Sequence, residues 1–140
     1  EILRLVRGEE EAPREDAPPP IAPSAIFDAR EAIHQIHVAP SVEQYIVDIV
    51  WATRDPGRYE EELASWIQVG ASPRGSIGLD RTARALAWLR GQDHVSPAEV
   101  RDVDHDVLRH RLMLSYEASA EGVTANEVLD RVLELVAVPA

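Results

Sequence analysis

At three points along this chain that suit a helix start, a serine or threonine stands three residues before glutamate or glutamine: Ser41–Gln44, Ser96–Glu99 and Thr124–Glu127. Such a pair can close a capping box, in which each side chain satisfies a backbone N–H that the first helical turn leaves open. A chain that announces helix starts at three separated points is committed to helices joined by turns. Proline at position 97 strengthens one of these starts, since its fixed φ suits the first helical residue and its missing N–H is not needed there, and Pro40 with Ser41 opens another.

The apolar residues agree with this punctuation. Val42, Tyr45, Ile46, Ile49, Val50 and Thr53 trace one face at 3.6-residue spacing, the clearest periodic signal in the chain, and Asp55-Pro56-Gly57 ends it. Before it, Ser24 can cap a helix reaching about Ile36, offering Ile26, Phe27, Ala29, Ile33 and Ile36 for burial. Tyr59, Leu63, Trp66 and Ile67 suit a short helix behind the acidic run 60–62. Ser72 before Pro73 opens a helix that runs to Arg90 and stops at Gly91; Ile77, Leu79, Ala83, Leu86 and Leu89 supply its inner side, and Asp80 with Arg84 an outer ion pair. The small residues Gly75, Ser76 and Gly78 would let another backbone come close. The Ser96 box opens a helix to about Val103, followed by a separate segment from Asp106 to Arg111. The last box starts a helix that turns Val128, Leu129, Val132, Leu133 and Val136 inward, with Glu127 and Arg131 paired outside. Short extended pieces fit 36–38, 94–95 and 112–114. The expected fold class is therefore all-α, a compact helical bundle with at most minor short strands.

Residues 8–23 stand apart. Glu9, Glu10, Glu11, Glu15 and Asp16 alternate with Pro13, Pro18, Pro19, Pro20 and Pro23. Proline removes donors while like charges repel, so an extended acidic linker is expected, with a proline-rich ligand for a partner as the alternative. Ile2, Leu3 and Val6 at helical spacing, with Gly8 as a stop, make residues 1–7 the end of a helix, and the absence of an initiator methionine suggests a piece of something larger. The expected division is 1–7, 8–23 and a helical domain over 24–140.

Composition narrows the chemistry. All 14 basic residues are arginine, and the chain has no cysteine. Without lysine it holds no G-x-x-x-x-G-K-[ST] phosphate loop and no lysine Schiff base. Without cysteine it has no disulfide, thiolate nucleophile or zinc–thiolate site. A net charge of -11 opposes binding to nucleic acid or to an anionic membrane. No apolar run approaches the roughly 20 residues a spanning helix needs, and no signal peptide opens the chain.

The stretch Gly70-Ala71-Ser72-Pro73-Arg74-Gly75-Ser76 carries the most chemistry. It places a permanently charged guanidinium in the first turn of a helix, beside open N–H groups and the positive end of the helix dipole. That placement is unfavourable for the isolated helix and suits an anion such as phosphate; a solvated arginine or a nearby carboxylate is the alternative.

Followed by Ala83-Arg84-Ala85-Leu86-Ala87-Trp88-Leu89-Arg90-Gly91, this stretch resembles the C-terminal lid of MoxR-family AAA+ ATPases. Residues 91–100, Val107-Leu108-Arg109-His110-Arg111-Leu112 and Glu121-Gly122-Val123-Thr124 match that family in order and spacing, so the resemblance covers essentially the whole chain. It implies a small helical lid that closes over ATP and Mg2+ held by an α/β core domain outside this sequence. It further implies that Arg74 is the sensor 2 arginine touching the γ-phosphate, with Ser72 and Pro73 setting the angle at which it leaves the helix. The lid alone would neither hydrolyse ATP nor bind it tightly. The resemblance also implies ring-shaped homo-oligomers, often hexamers, a cytoplasmic location, and chaperone-like maturation of complexes with von Willebrand factor A-domain partners. Two departures stand out: residues 58–68 look longer than the family's segment, and Gly75 replaces a more usual alanine, which would loosen the first turn of the Arg74 helix.

The remaining candidates are weaker. His34 with His37, and His105 with Asp106 and His110, lack the spacing of a convergent metal site. Arg109-His110-Arg111 forms a small basic spot suited to local pairing, to a neighbouring subunit or to nucleotide. Trp51, Trp66 and Trp88 fit core or interface positions. A stand-alone acidic helical interaction module is the competing reading of the whole chain, and a helix-turn-helix nucleic-acid reader has the wrong charge.

Overall fold

A computed structural model describes residues 19–139, so the expected helix end at 1–7 and most of the acidic linker lie outside the described residues. Within them the chain forms α1 (Pro23–His34), β1 (His37–Val38), α2 (Pro40–Arg54), α3 (Glu61–Trp66), β2 (Ile67–Val69), α4 (Arg74–Leu89), β3 (His94–Val95), α5 (Pro97–Leu108), β4 (Met113–Leu114), α6 (Tyr116–Glu121) and α7 (Ala125–Leu135). Single 3-10 turns cover Pro56–Arg58 and Arg109–Arg111. The expected all-α bundle with minor strands is what the chain builds.

The core gathers the inner faces of α2, α4, α5 and α7. Every residue of the periodic α2 face is buried, and Ala52 joins it. Leu79, Ala83 and Ala87 of α4 meet Val100, Val103, Val107 and Leu108 of α5, the most extensive helix pair in the fold. Val128, Leu129, Val132 and Leu133 close it from α7. Two-stranded sheets tie the loops between helices. β1 runs parallel to β3, pairing His37 with His94 and Val38 with Val95, while β2 runs antiparallel to β4, pairing Ile67 with Leu114.

Two of the three capping boxes form. Ser96 and Glu99 exchange bonds at the start of α5, as do Thr124 and Glu127 at the start of α7. The third does not. Pro40 takes the first position of α2 with Ala39 as the cap, so Ser41 already lies inside the helix, and Gln44 instead donates to Asp48 at 2.7 Å. At the other end of α4, Gly91 adopts φ 72°. Its N–H reaches Trp88 O, and that of Gln92 reaches Ala87 O, the paired bonds of a Schellman stop. Arg90 then bridges this turn to Glu99 and Asp102 of α5, at 2.9 and 2.6 Å. Burial pushes the Glu99 carboxyl up, but donation from the Ser96 hydroxyl and N–H and from Arg90 outweighs it and brings the group to about 2.

Other details correct the reading of the sequence. α5 is continuous to Leu108, because Val103 and Val107 both face the core and no breaker separates them. Residues 67–69 leave the short helix as a strand. Ile77 and Leu89, expected inside, are 52% and 73% exposed: the shared α4–α5 seam takes the 79/83/87 row and leaves their row outside. None of the α1 residues is fully buried, and Ile26 and Phe27 face outward, with only Ala29, Ala32 and Ile33 half-buried against α4. Arg131 does not pair with Glu127. It forms a two-bond fork with Glu60, at 2.7 and 2.6 Å, and bonds Glu134. Glu127 is already engaged by Thr124.

Candidate functional site

Arg74 is the first residue of α4, within the first helical turn as expected, and its side chain is exposed. The helix begins one residue later than expected, with Pro73 (φ −54°) just outside it, and the Ser72 hydroxyl does not cap it. What Ser72 supplies is its carbonyl, which accepts from Gly75 N at 2.7 Å, while Pro73 O accepts from Ile77 N at 3.4 Å. No acidic residue occupies the first turn. The guanidinium makes no ion pair or hydrogen bond among the described residues. Arg30 and Arg81 share that property; the other described arginines each reach a carboxylate or a carbonyl. Arg74 differs from those two in its place at a helix start, where open N–H groups and the dipole add to its charge.

The loop that delivers Arg74 is held by the last turn of α2. Gly70 lies so close to it that an added Cβ would stand 2.1 Å from Thr53 O and 2.5 Å from Thr53 C. This is where backbone meets backbone. Gly75 and Gly78, expected to play that part, face side chains instead: their Cβ positions are 3.0 Å from Leu108 Cδ2 and 2.8 Å from Val107 Cγ1. Gly75 therefore fits a tight contact under the first turn of α4 and is itself buried, so the structure gives no sign of the loosening expected from the missing methyl. Next to Gly70, Ala71 N donates to Thr53 Oγ1 at 3.0 Å, and Arg54 Nη1 donates to Ala71 O at 3.3 Å. Beyond the arginine, Ser76 and Ile77 line an open cleft of about 510 Å³ with Glu43, Ile46 and Val47 of α2 and Asp80 and Arg81 of α4. Arg84 closes its far end, paired to Asp80 at 2.5 Å as expected. An exposed fork of donors at a positive helix end, beside a partly apolar cleft, can bind an anion joined to a flat or apolar group.

The structure does not bring the other candidates together. Among the described residues no three His, Asp or Glu side chains converge as metal ligands. His105 Nε2 lies 3.0 Å from Asp130 Oδ1. Arg109 pairs with Asp106 and Arg111 Nε donates to Val107 O, so the basic spot is used locally. Trp66 donates from Nε1 to Glu121 at 3.2 Å, and Trp51 and Trp88 are partly exposed. Among the described residues no helix is long and apolar enough to cross a membrane.

Two features escaped the sequence. Thr53 reads as one more member of the α2 core face, and only the fold reveals its hydroxyl under the Arg74 loop. Asp104 lies on the buried side of α5 with neither carboxylate oxygen partnered. Burial pushes it up to about 7, opposed by His105 and Arg101 and reinforced by Asp130. Its spacing from Val100 and Val107 places it on the buried face, which is the one signal that could have exposed it.

Comparison with known proteins bears on this site. Residues 61–132 match the AAA lid domain family, and that span contains Arg74, the whole of α4 and α5, and most of the 58–68 segment. The chain is 47% identical over 96 residues to the chaperone MoxR1 of Mycobacterium tuberculosis, covering 68% of this chain and 26% of that one. It is 37% identical over 111 residues to the protein MoxR of Paracoccus denitrificans, covering 74% and 32%. A solved Cytophaga hutchinsonii structure, of a protein assigned as an ATPase, superimposes with a TM-score of 0.80 at 36% identity, covering 84% of this chain and 36% of that one. This chain thus spans between about a quarter and two fifths of the length of the curated relatives it matches over most of its length.

Proposed function

Because this chain belongs to the AAA lid domain family, in its MoxR branch, we propose that it is the lid over an ATP site and that Arg74 is the sensor 2 arginine of that site. The observation that carries the proposal is the state of Arg74: first in its helix, exposed, unpaired among the described residues and held on a loop tied to α2. The residues fit one part of a nucleotide site and not the rest. A guanidinium fork at a positive helix end suits a terminal phosphate, whereas a chain with no lysine has no phosphate-loop ammonium to offer. The remaining site, including the Mg2+ ligands, therefore belongs to a core domain of the parent protein.

ATP supplies the transferable phosphoryl group. The contribution of this chain is positional and electrostatic. Arg74 steadies negative charge on the terminal phosphate, and α4, rigidly packed on α5, carries any displacement of the arginine into the whole lid. By the same family resemblance the parent is a cytoplasmic, ring-forming ATPase that acts as a chaperone with von Willebrand factor A-domain partners. The lid takes the chain from α1 onward, and the residues before it join it to the core. ATP turnover by the full-length protein tests the reading: Arg74→Ala lowers it roughly tenfold or more, and the 140-residue chain alone shows none. Undiminished turnover in the variant, or robust turnover by the isolated chain, overturns it.

A further inference from the structure

We infer that Thr53 is a positioning residue for Arg74, its buried hydroxyl fixing the loop from which the arginine leaves; the inference rests on the sensor reading above. Thr53 is fully buried in the last turn of α2. Its hydroxyl donates to Val50 O at 2.7 Å, which directs the proton away and leaves a lone pair for Ala71 N–H at 3.0 Å. Arg54, the next residue, donates to the carbonyl of the same alanine. Both backbone polar groups of Ala71 are thus taken by consecutive side chains of one helix end.

Around this pair of bonds the loop has little freedom. Gly70 rests on the Thr53 carbonyl at a distance that admits no Cβ. Only Ser72 and Pro73 separate Ala71 from Arg74, and the proline ring fixes its own φ. Gly75, immediately after, is wedged against Leu108, with Val50 of α2 also in contact distance. The Arg74 Cα is therefore registered to α2 from both sides. An arginine is a long lever, and a misplacement of about 1 Å at a reacting centre can cost on the order of a hundredfold in rate. A valine at position 53 keeps the shape but offers Ala71 N–H nothing; a serine keeps both bonds.

A bond of this kind also stabilises the fold, so the test separates the two roles by a double-mutant cycle on ATP turnover of the full-length protein at saturating ATP, with thermal unfolding of each variant alongside. The expectation is that Thr53→Val lowers turnover roughly fivefold or more, Thr53→Ser stays within about twofold of wild type, and Thr53→Val adds less than about twofold once Arg74 is alanine. Normal turnover in Thr53→Val beside a depressed Arg74→Ala overturns the positioning role and leaves the sensor reading standing. An equal loss in both backgrounds assigns Thr53 to the fold alone and overturns it as well. Normal turnover in Arg74→Ala overturns both. Should Thr53→Val not fold, Arg54→Gln, at an exposed residue, takes its place: a loss of about two- to threefold that vanishes in the Arg74→Ala background supports the inference, and any other pattern overturns it.

Discussion

Replacing Asp104 by asparagine should make this domain more stable, by an amount that grows with pH. The carboxyl is fully buried on α5, and neither oxygen has a partner. Burial is the leading cause that raises it from 3.8 to about 7; His105 and Arg101 on its own helix pull down, and Asp130 of α7 pushes up. The Tyr45 hydroxyl of α2, also buried and unpartnered, is the remaining titratable neighbour; burial raises it, opposed by Arg101. A carboxyl whose folded value lies above its unfolded value binds protons more tightly when folded. It therefore costs nothing below pH 3.8, costs more as pH rises, and reaches its full cost above about 7. Linkage between 3.8 and about 7 gives a cost of about 2 kcal/mol at pH 5 and about 4 kcal/mol at pH 8. The asparagine side chain matches the protonated acid in shape and cannot ionise. Urea unfolding followed by circular dichroism at the two pH values measures the gap directly. The gap between variant and wild type should widen by about 2 kcal/mol from pH 5 to pH 8. Glu99 does not interfere, since its value of about 2 keeps it ionised throughout. A gap that stays constant across this range would refute the argument, because it would mean that Asp104 ionises in the folded protein as it does in water.

Three further outcomes follow from named contacts. Glu99→Gln should destabilise the domain by about 2 kcal/mol at pH 7, and the wild type should lose that contribution as pH falls from 4.5 toward 2; urea titrations at pH 7 and pH 3 check both. Gly70→Ala should cost about 3 kcal/mol or more in thermal or urea unfolding, since its Cβ meets the Thr53 carbonyl at 2.1 Å and backbone has to move. Thr124→Ala removes the cap of α7 and should cost about 1 kcal/mol, with Thr124→Ser close to neutral by the same measurement.

Much of this architecture is legible in local chemistry. The α2 face, the Ser96 and Thr124 boxes and the stop at Gly91 can all be read from residues a few positions apart, and all are present. What local reading misses is settled by distant partners. Residues 67–69 become a strand because β4, more than forty residues on, supplies its bonds. Glu60 draws Arg131 away from Glu127 across a separation of 71 residues. The outward turn of Ile77 and Leu89 depends on which row of α4 meets α5, which helical spacing alone leaves open. At the Ser41 box two local rules compete, and the proline wins because it claims the first helical position outright.

The site shows the same division. Arg74 at the head of a helix can be read from glycine, proline and arginine in order. The grip of Thr53, Arg54 and Gly70 on its loop requires α2 to be in place first.

The structure of the full-length protein with a non-hydrolysable ATP analogue tests the central claim most directly. The distance from the Arg74 guanidinium to the γ-phosphate should fall within about 3 Å, the range of a charge-assisted hydrogen bond. A lid closed over the analogue with Arg74 turned to solvent, and another side chain in contact with the phosphate, would contradict it.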